Sequence, residues 1–409
     1  MASQPGLQQV SAADGPLSGV RILDLGTIFA GPLIGAHLGD LGAEVIKVEP
    51  PRGDDLRRLG ATKDGIAMWW KVAARNKRLA AIDLTQPEGA EVLKRLACGA
   101  DVLIENFRPG KLEAWGLGYA VLAAANPRLV VMHISGYGRD GPYRDRPGFG
   151  TLAEAFSGFV FTNGQPDGPP TLPSFPVADC VTALVGCYAV LAALRERDVS
   201  GRGQEVDLNL YESLLTLMGN MVTGYDQLGE VMQRRGNRSK ASVPRNAYAT
   251  KDGRWVVISS STDAMAARVF RAIGRTDLAD DPSLSTNVER AKRAEEIDAI
   301  VAAWMTEQSQ AEALARLQAF DVAAGPINDV AQFVDDPHVV AHESLVTLED
   351  PDFGRLRMPN VGPRFSRTPG RVRWAGRGAI GADTREILRE VGYVDTEIDQ
   401  LIARSVVRC

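Results

Sequence analysis

Within the first 135 residues one unit recurs: a short run of apolar side chains, then a stretch with helical spacing. The runs fall at 20–25 (VRILDL), 43–49 (AEVIKVE), 80–84, 101–105 and 129–134. Each is only a few residues long and is flanked by glycine, proline or polar residues, which marks strands rather than helices. Their side chains are apolar at successive positions, so both faces of the strand must be covered. That requirement selects a mostly parallel sheet with helices on both sides, an α/β fold. The intervening helices are expected at 33–41, 88–97 and 117–125. The first follows a loop over 26–32, with Pro32 suited to an opening helical turn and Gly42 closing it.

Past the fifth run the texture changes. Residues 142–176 are rich in proline and glycine, the composition of an irregular passage lying over a site. Long helices are expected at 180–197 and 208–228. A hairpin around Lys251-Asp252-Gly253 spans 247–260, and helices are expected at 263–273, 288–307 and 310–319. The segment 359–369 and a helix near 383–390 return to the first domain. The reading is a loose tail at 1–16, a large domain from 17–229 and 331–409, and a small α+β domain at 230–330.

Composition narrows the function. A chain of 409 residues has room for two or three domains, and its formal charge of −5 does not suit a nucleic-acid surface. Four cysteines without a C-x-x-C pair fit a reducing cytoplasm and no disulfide framework. With only four histidines, no zinc or di-iron centre is expected and the metal assignment is none. The longest apolar run, 181–194, is shorter than the roughly 20 residues that cross a bilayer. The first residues lack a basic stretch leading into an apolar one, so neither a secretion signal nor a membrane partner is expected.

Three places could carry chemistry. The opening strand-loop-helix-strand unit, with Glu49 ending its second strand, suggests a dinucleotide site. Its loop, Gly26-Thr-Ile-Phe-Ala-Gly31-Pro32, lacks the G-x-G-x-x-G spacing that lets backbone amides close on a pyrophosphate. Asp179 opens the apolar helix, where a carboxylate can cap helix amides. The same position would orient an ionised nucleophile, so the two roles are compatible. Basic residues gather at Lys71, Arg75, Lys77 and Arg78, and again at Arg108 and Lys111 beyond a strand's C-terminal end. That end is where parallel sheets meet ligands, and Phe107 there offers a ring to a purine. Both clusters could equally be solvated loops.

Several ordered segments resemble the class III CoA transferases, the family of formyl-CoA and carnitine CoA transferases. They are AGP at 30–32, LGAEVIKVE at 41–49, NKR at 76–78, DVLIENFRPG at 101–110, SGYGRDGPYRDRPG at 135–148, FPVADCVTALVGCYAVLAALRER at 175–197 and SGRGQEVDLNLYESLL at 200–215, with GPINDVAQFVDDPHVVAH at 325–342 and SRTPG at 366–370 further on. The likeness runs from about residue 17 to 400. It implies a Rossmann-like large domain built from both chain ends, a smaller domain between them, and two interlocked ring-like subunits in a homodimer or with a paralogous partner. It also implies an enzyme whose substrates are acyl-CoA and a free carboxylic acid, with coenzyme A as substrate and no permanent cofactor.

The family's nucleophilic aspartate corresponds to Asp179, which by similarity passes through an acyl anhydride and an aspartyl-CoA thioester. Such an exchange is nearly neutral in free energy; the difficulty is to keep reactive intermediates from water. CoA contacts carry over to Phe29, Ala30, Ala74, Arg75, Asn76, Lys77, Asn106, Phe107 and Arg108. The family's basic position after the second strand is Pro50 here, with Arg52 as the substitute. Another family arginine falls on Ala114, compensated by Arg108 and Lys111. Where formyl-CoA transferases have a glycine run, this chain has Arg238, Ser239 and Lys240. They are assigned to substrate, with Arg238 or Lys240 pairing a second carboxylate such as that of succinate; the alternative is a solvated basic loop. Two rivals stand beside the transferase: an α-methylacyl-CoA racemase, whose histidine is Phe149 here, and a non-catalytic subunit.

Overall fold

The structure is a computed structural model and describes residues 15–409; the expected tail lies, up to residue 14, outside the described residues. The chain forms two compact units, one of residues 15–160, 172–231 and 343–409, the other of 161–171 and 232–342.

In the first unit six strands run parallel: β1 (Arg21–Asp24), β2 (Glu44–Glu49), β3 (Lys77–Ile82), β4 (Val102–Glu105), β5 (Val130–Ser135) and β6 (Glu205–Asn209). The order across the sheet is β3-β2-β1-β4-β5-β6, with Val407–Arg408 added antiparallel on the β3 edge. The order reverses between β1 and β4. At that switch point the loops after the two strands part and leave a crevice at their C-terminal ends.

Alternation along the strands divides the core. Ile22, Val45, Val102, Ile104, Val130 and Met132 face one layer, which includes α1 (Ala30–Asp40) and α3 (Val177–Ser200). Leu23, Ile46, Leu103 and Val131 face the other, covered by Pro87–Cys98, Thr384–Glu390 and Asp395–Ala403. Both faces of the inner strands are covered, which is why successive apolar residues recur in β1 to β5 while β6, at the edge, is only partly buried. α1 and α3 pack closely at Gly186, where an added Cβ would lie 2.3 Å from Cδ1 of Ile34. α3 has the length and hydropathy of a membrane span, but its Ala178, Thr182, Ala183 and Val190 are buried against this fold.

In the second unit β7 (Arg245–Ala249), β8 (Trp255–Ser259) and β9 (Ala324–Pro326) form an antiparallel sheet in the order β9-β8-β7. Tyr248, Val256 and Ile258 pack there with Val269, Val301 and Leu317 of the surrounding helices. The buried Asp298 accepts from the Tyr248 hydroxyl (2.8 Å), Asn246 (3.0 Å) and Arg238 (2.7 Å).

Several sequence expectations need correction. The helix expected at 288–307 is two helices, Asn287–Lys292 and Ala294–Thr306, broken at Arg293. The helix expected at 208–228 is instead the end of β6 followed by Leu210–Leu215 and Met221–Leu228. Asn209 ends the strand and caps the next helix by accepting from the Glu212 N–H (2.8 Å). The third strand starts at Lys77 rather than 80, so the basic cluster there enters the sheet. α1 begins at Ala30 rather than 33, which shortens the preceding loop.

Candidate active site

The C-terminal ends of β1, β4 and β5 open into a cavity of about 680 Å³ within the first unit. Its walls are the loop from Thr27 to Ala30, the turn from Asn106 to Lys111, the passage from Arg144 to Thr151, and the start of α3 at Pro176 and Asp179. The lining therefore joins both flanks of the switch point to a helix N-terminus, the usual ligand position in this architecture.

Asp179 lies in the first turn of α3. The backbone N–H groups of Asp179 itself and of Ala30 pull the pKa of its carboxylate down. Burial and the neighbouring charge of Glu154 outweigh them and raise it to about 6. Glu154 is itself buried on α2 (Gly150–Phe156) and its Oε1 accepts the Ala178 N–H at 3.0 Å, so it caps α3 from a separate element. The carboxylate thus stays ionised at neutral pH while retaining more basicity than an ordinary aspartate, as a nucleophile requires. Gly150 lies against it: a Cβ there would fall 2.1 Å from Oδ2. Nearby, Gly136 and Gly148 cross so closely that a Cβ on either would lie 2.5 Å from the other's Cα. Glycine at these positions lets the irregular passage fold down beside the carboxylate.

Of the residues singled out in the sequence, the cavity brings together Phe29, Ala30, Asn106, Phe107, Arg108, Lys111 and Asp179. Phe107 packs edge-on against Trp115 at 5.1 Å between ring centroids. Others lie elsewhere. Ala74 is buried, and Arg75 is buried in an ion pair with Asp40 (2.6 Å). Asn76 donates to Asp40 (2.8 Å) and to the Arg371 carbonyl (2.9 Å). Lys77 is buried between Asp24 (2.7 Å) and the Pro32 carbonyl (2.6 Å). These four build the fold beneath the cavity instead of lining it. Arg52 is exposed and pairs with Asp55 (2.6 Å).

Arg238, Ser239 and Lys240 belong to the second unit and line a cleft there of about 550 Å³. The Arg238 charge is met by Asp298 (2.7 Å) and Glu295 (3.1 Å). In the same cleft Lys292 and Arg293 pair with Glu289 (2.7 Å) and Glu296 (2.6 Å). The Ser239 hydroxyl accepts the Ala241 N–H (3.1 Å), and the Lys240 carbonyl accepts from Asn287 (2.9 Å).

The sequence reading missed Arg144, Arg146 and Gly150. Among the described residues the Arg144 guanidinium pairs with its neighbour Asp145, at 3.4 Å, and the Arg146 guanidinium lies over the Tyr143 ring at 3.6 Å. The proline- and glycine-rich composition of that passage signalled a site without saying which side chains enter it. His133 lies on β5 between Glu105 and Glu205, a buried hydrogen-bonded histidine.

A doubly wound α/β unit with a half-buried carboxylate facing a cavity rimmed by Arg108, Lys111, Arg144 and Arg146 is the frame of an enzyme that handles a phosphorylated carrier and a reactive acyl group. The comparisons make that class specific. The chain belongs to CoA-transferase family III, which it matches over residues 17–384. It is 43% identical to the succinyl-CoA–L-malate CoA-transferase beta subunit of Chloroflexus aurantiacus, over 96% of this chain and 98% of that protein. It is 41% identical, with the same coverage, to the succinyl-CoA–D-citramalate CoA-transferase of that organism. Its fold is similar to the crystal structure of a CAIB/BAIF family protein from Brucella suis, with a TM-score of 0.82 and 32% identity, covering 92% of this chain and 100% of that one.

Proposed function

We propose that the protein moves CoA from succinyl-CoA to a second carboxylic acid through covalent adducts of Asp179. The observation that carries this reading is the Asp179 carboxylate itself, basic yet ionised, at a helix start in a cavity large enough for a thioester. Its oxygen attacks the succinyl carbonyl, the carbon–sulfur bond breaks, and CoA leaves as a thiolate with an anhydride left on Asp179. The thiolate attacks the aspartyl carbonyl, releasing succinate and forming an aspartyl-CoA thioester. The acceptor carboxylate attacks that carbonyl, giving a new anhydride and again a thiolate. Attack of the thiolate on the acceptor's acyl carbon yields the product thioester and frees Asp179. Amide N–H groups beside the carboxylate support charge that develops on the tetrahedral oxygens.

Phe107, Arg108 and Lys111 are assigned to CoA, joined by Arg144 and Arg146. The two added arginines also suit the second carboxylate of a dicarboxylic acid, since neither is held by a well-formed ion pair, whereas Arg238 is already bound to two carboxylates. The racemase alternative lacks support, because Phe149 at the cavity wall has no proton to transfer. We further assign the second subunit to the apolar side chains exposed on α3 (Leu184, Tyr188) and beyond it (Leu217, Val222, Tyr225, Leu228). The partner is a second copy or a related chain.

The test is an assay of the purified protein with succinyl-CoA against a panel of mono- and dicarboxylic acids. New thioester should form with a dicarboxylate, and Asp179→Asn should reduce its rate by more than about a thousandfold. Transfer that survives the substitution would refute the mechanism.

A further inference from the structure

The loop ahead of α1 is held in an unfavourable backbone conformation. Ile28 has φ of +64°, a left-handed value that a β-branched residue rarely adopts. The peptide groups around it are fastened one after another by side chains from the end of β1, from β2, from the loop at Asp54 and from the turn after β4. Asp24 accepts the Gly26 N–H at 2.9 Å. The Lys47 ammonium donates to the Gly26 carbonyl and pairs with Asp54 at 3.1 Å. Asn106 accepts the Thr27 N–H at 2.7 Å and donates to the Thr27 carbonyl at 2.8 Å. Asp54 accepts the Ile28 N–H at 3.4 Å. Asp24, Lys47 and Asp54 are fully or almost fully buried, and Asp24 faces Lys47 directly in the β1–β2 register.

Two residues beyond Ile28, Ala30 lines the same cavity as Asp179, and its backbone N–H is one of the groups that lower the pKa of that carboxylate. We infer that Asn106, with Lys47 and Asp54 behind it, is a positioning device: it holds Ile28 left-handed so that the Ala30 amide stays aimed at the nucleophile and its acyl adducts. Both polar ends of the Asn106 amide are occupied by Thr27, so Asn106 acts through the loop from its place in the cavity wall. Relaxation of Ile28 toward ordinary backbone would swing the Ala30 amide away while leaving the cavity wall in place.

This inference rests on the covalent mechanism above and is tested by a cycle of variants in the full chain. Asn106→Ala should lower kcat by about a hundredfold, the effect of a small misplacement at the reacting centre. The KM for succinyl-CoA should change less than about threefold, because the rest of the cavity wall stays in place. Ile28→Gly makes the left-handed conformation accessible without strain, and Ile28→Asn tolerates it. Either change in the Asn106→Ala background should restore kcat by about tenfold. The inference is overturned if Asn106→Ala raises KM with kcat intact, or if neither Ile28 change restores activity in a folded double variant. Failure of the underlying mechanism would be seen separately, as transfer by the Asp179→Asn protein.

Discussion

In the proposed reaction Asp179 is the nucleophile, and burial and Glu154 together lift its pKa from the ordinary 3.8 to about 6. A raised acid pKa means the folded protein holds the proton more tightly than the unfolded chain. The ionised carboxylate therefore costs stability, in full above about pH 6, and the cost fades as pH falls toward 4. Asp179→Asn should stabilise the protein by about 1–3 kcal/mol at pH 8 and by much less at pH 4, as read from denaturant midpoints. In the parent enzyme kcat should decline below about pH 6 as the nucleophile takes up a proton. Glu154→Gln keeps an oxygen to accept the Ala178 N–H but removes the adjacent charge, so the acid limb should move to lower pH. A limb that stays in place would show that burial alone sets it.

Close approaches between elements set the site's shape, and they yield two further outcomes. Gly150→Ala would drive a methyl group into Asp179, so kcat should fall by about a hundredfold with melting little changed. Gly186→Ala would instead separate α3 from α1 and should cost about 1–3 kcal/mol, partly recovered when Ile34→Ala makes room. Elements of this kind differ in how clearly the sequence announces them. The first five parallel strands are legible because each carries successive apolar side chains. β6 is not, because its Leu208 runs on into Leu210 and Leu214 without a break and only the Asn209 cap marks the change. Lys77 looks like part of a surface basic cluster until the fold brings Asp24, 53 residues earlier, within 2.7 Å of it. Partners so distant in the chain leave no local signal, which is why Lys77 reads as a surface residue, whereas Phe107 and Arg108, just past a strand end, line the cavity at the position a parallel sheet offers to ligands.

At the scale of the molecule, the exposed apolar side chains on α3 and the segment after it make a lone chain an unfavourable species in water. Light scattering on the purified protein should give the mass of two chains, and Leu184→Asp with Tyr188→Asp should weaken that association; a monomer with full activity would remove the proposed partner. The central claim concerns covalent chemistry, and the most direct measurement is peptide mass spectrometry after incubation with succinyl-CoA and hydroxylamine. The expected result is a hydroxamate on Asp179, formed only when the thioester is present and absent from the Asp179→Asn protein. Transfer of CoA at the full rate with Asp179 left unmodified would contradict the account.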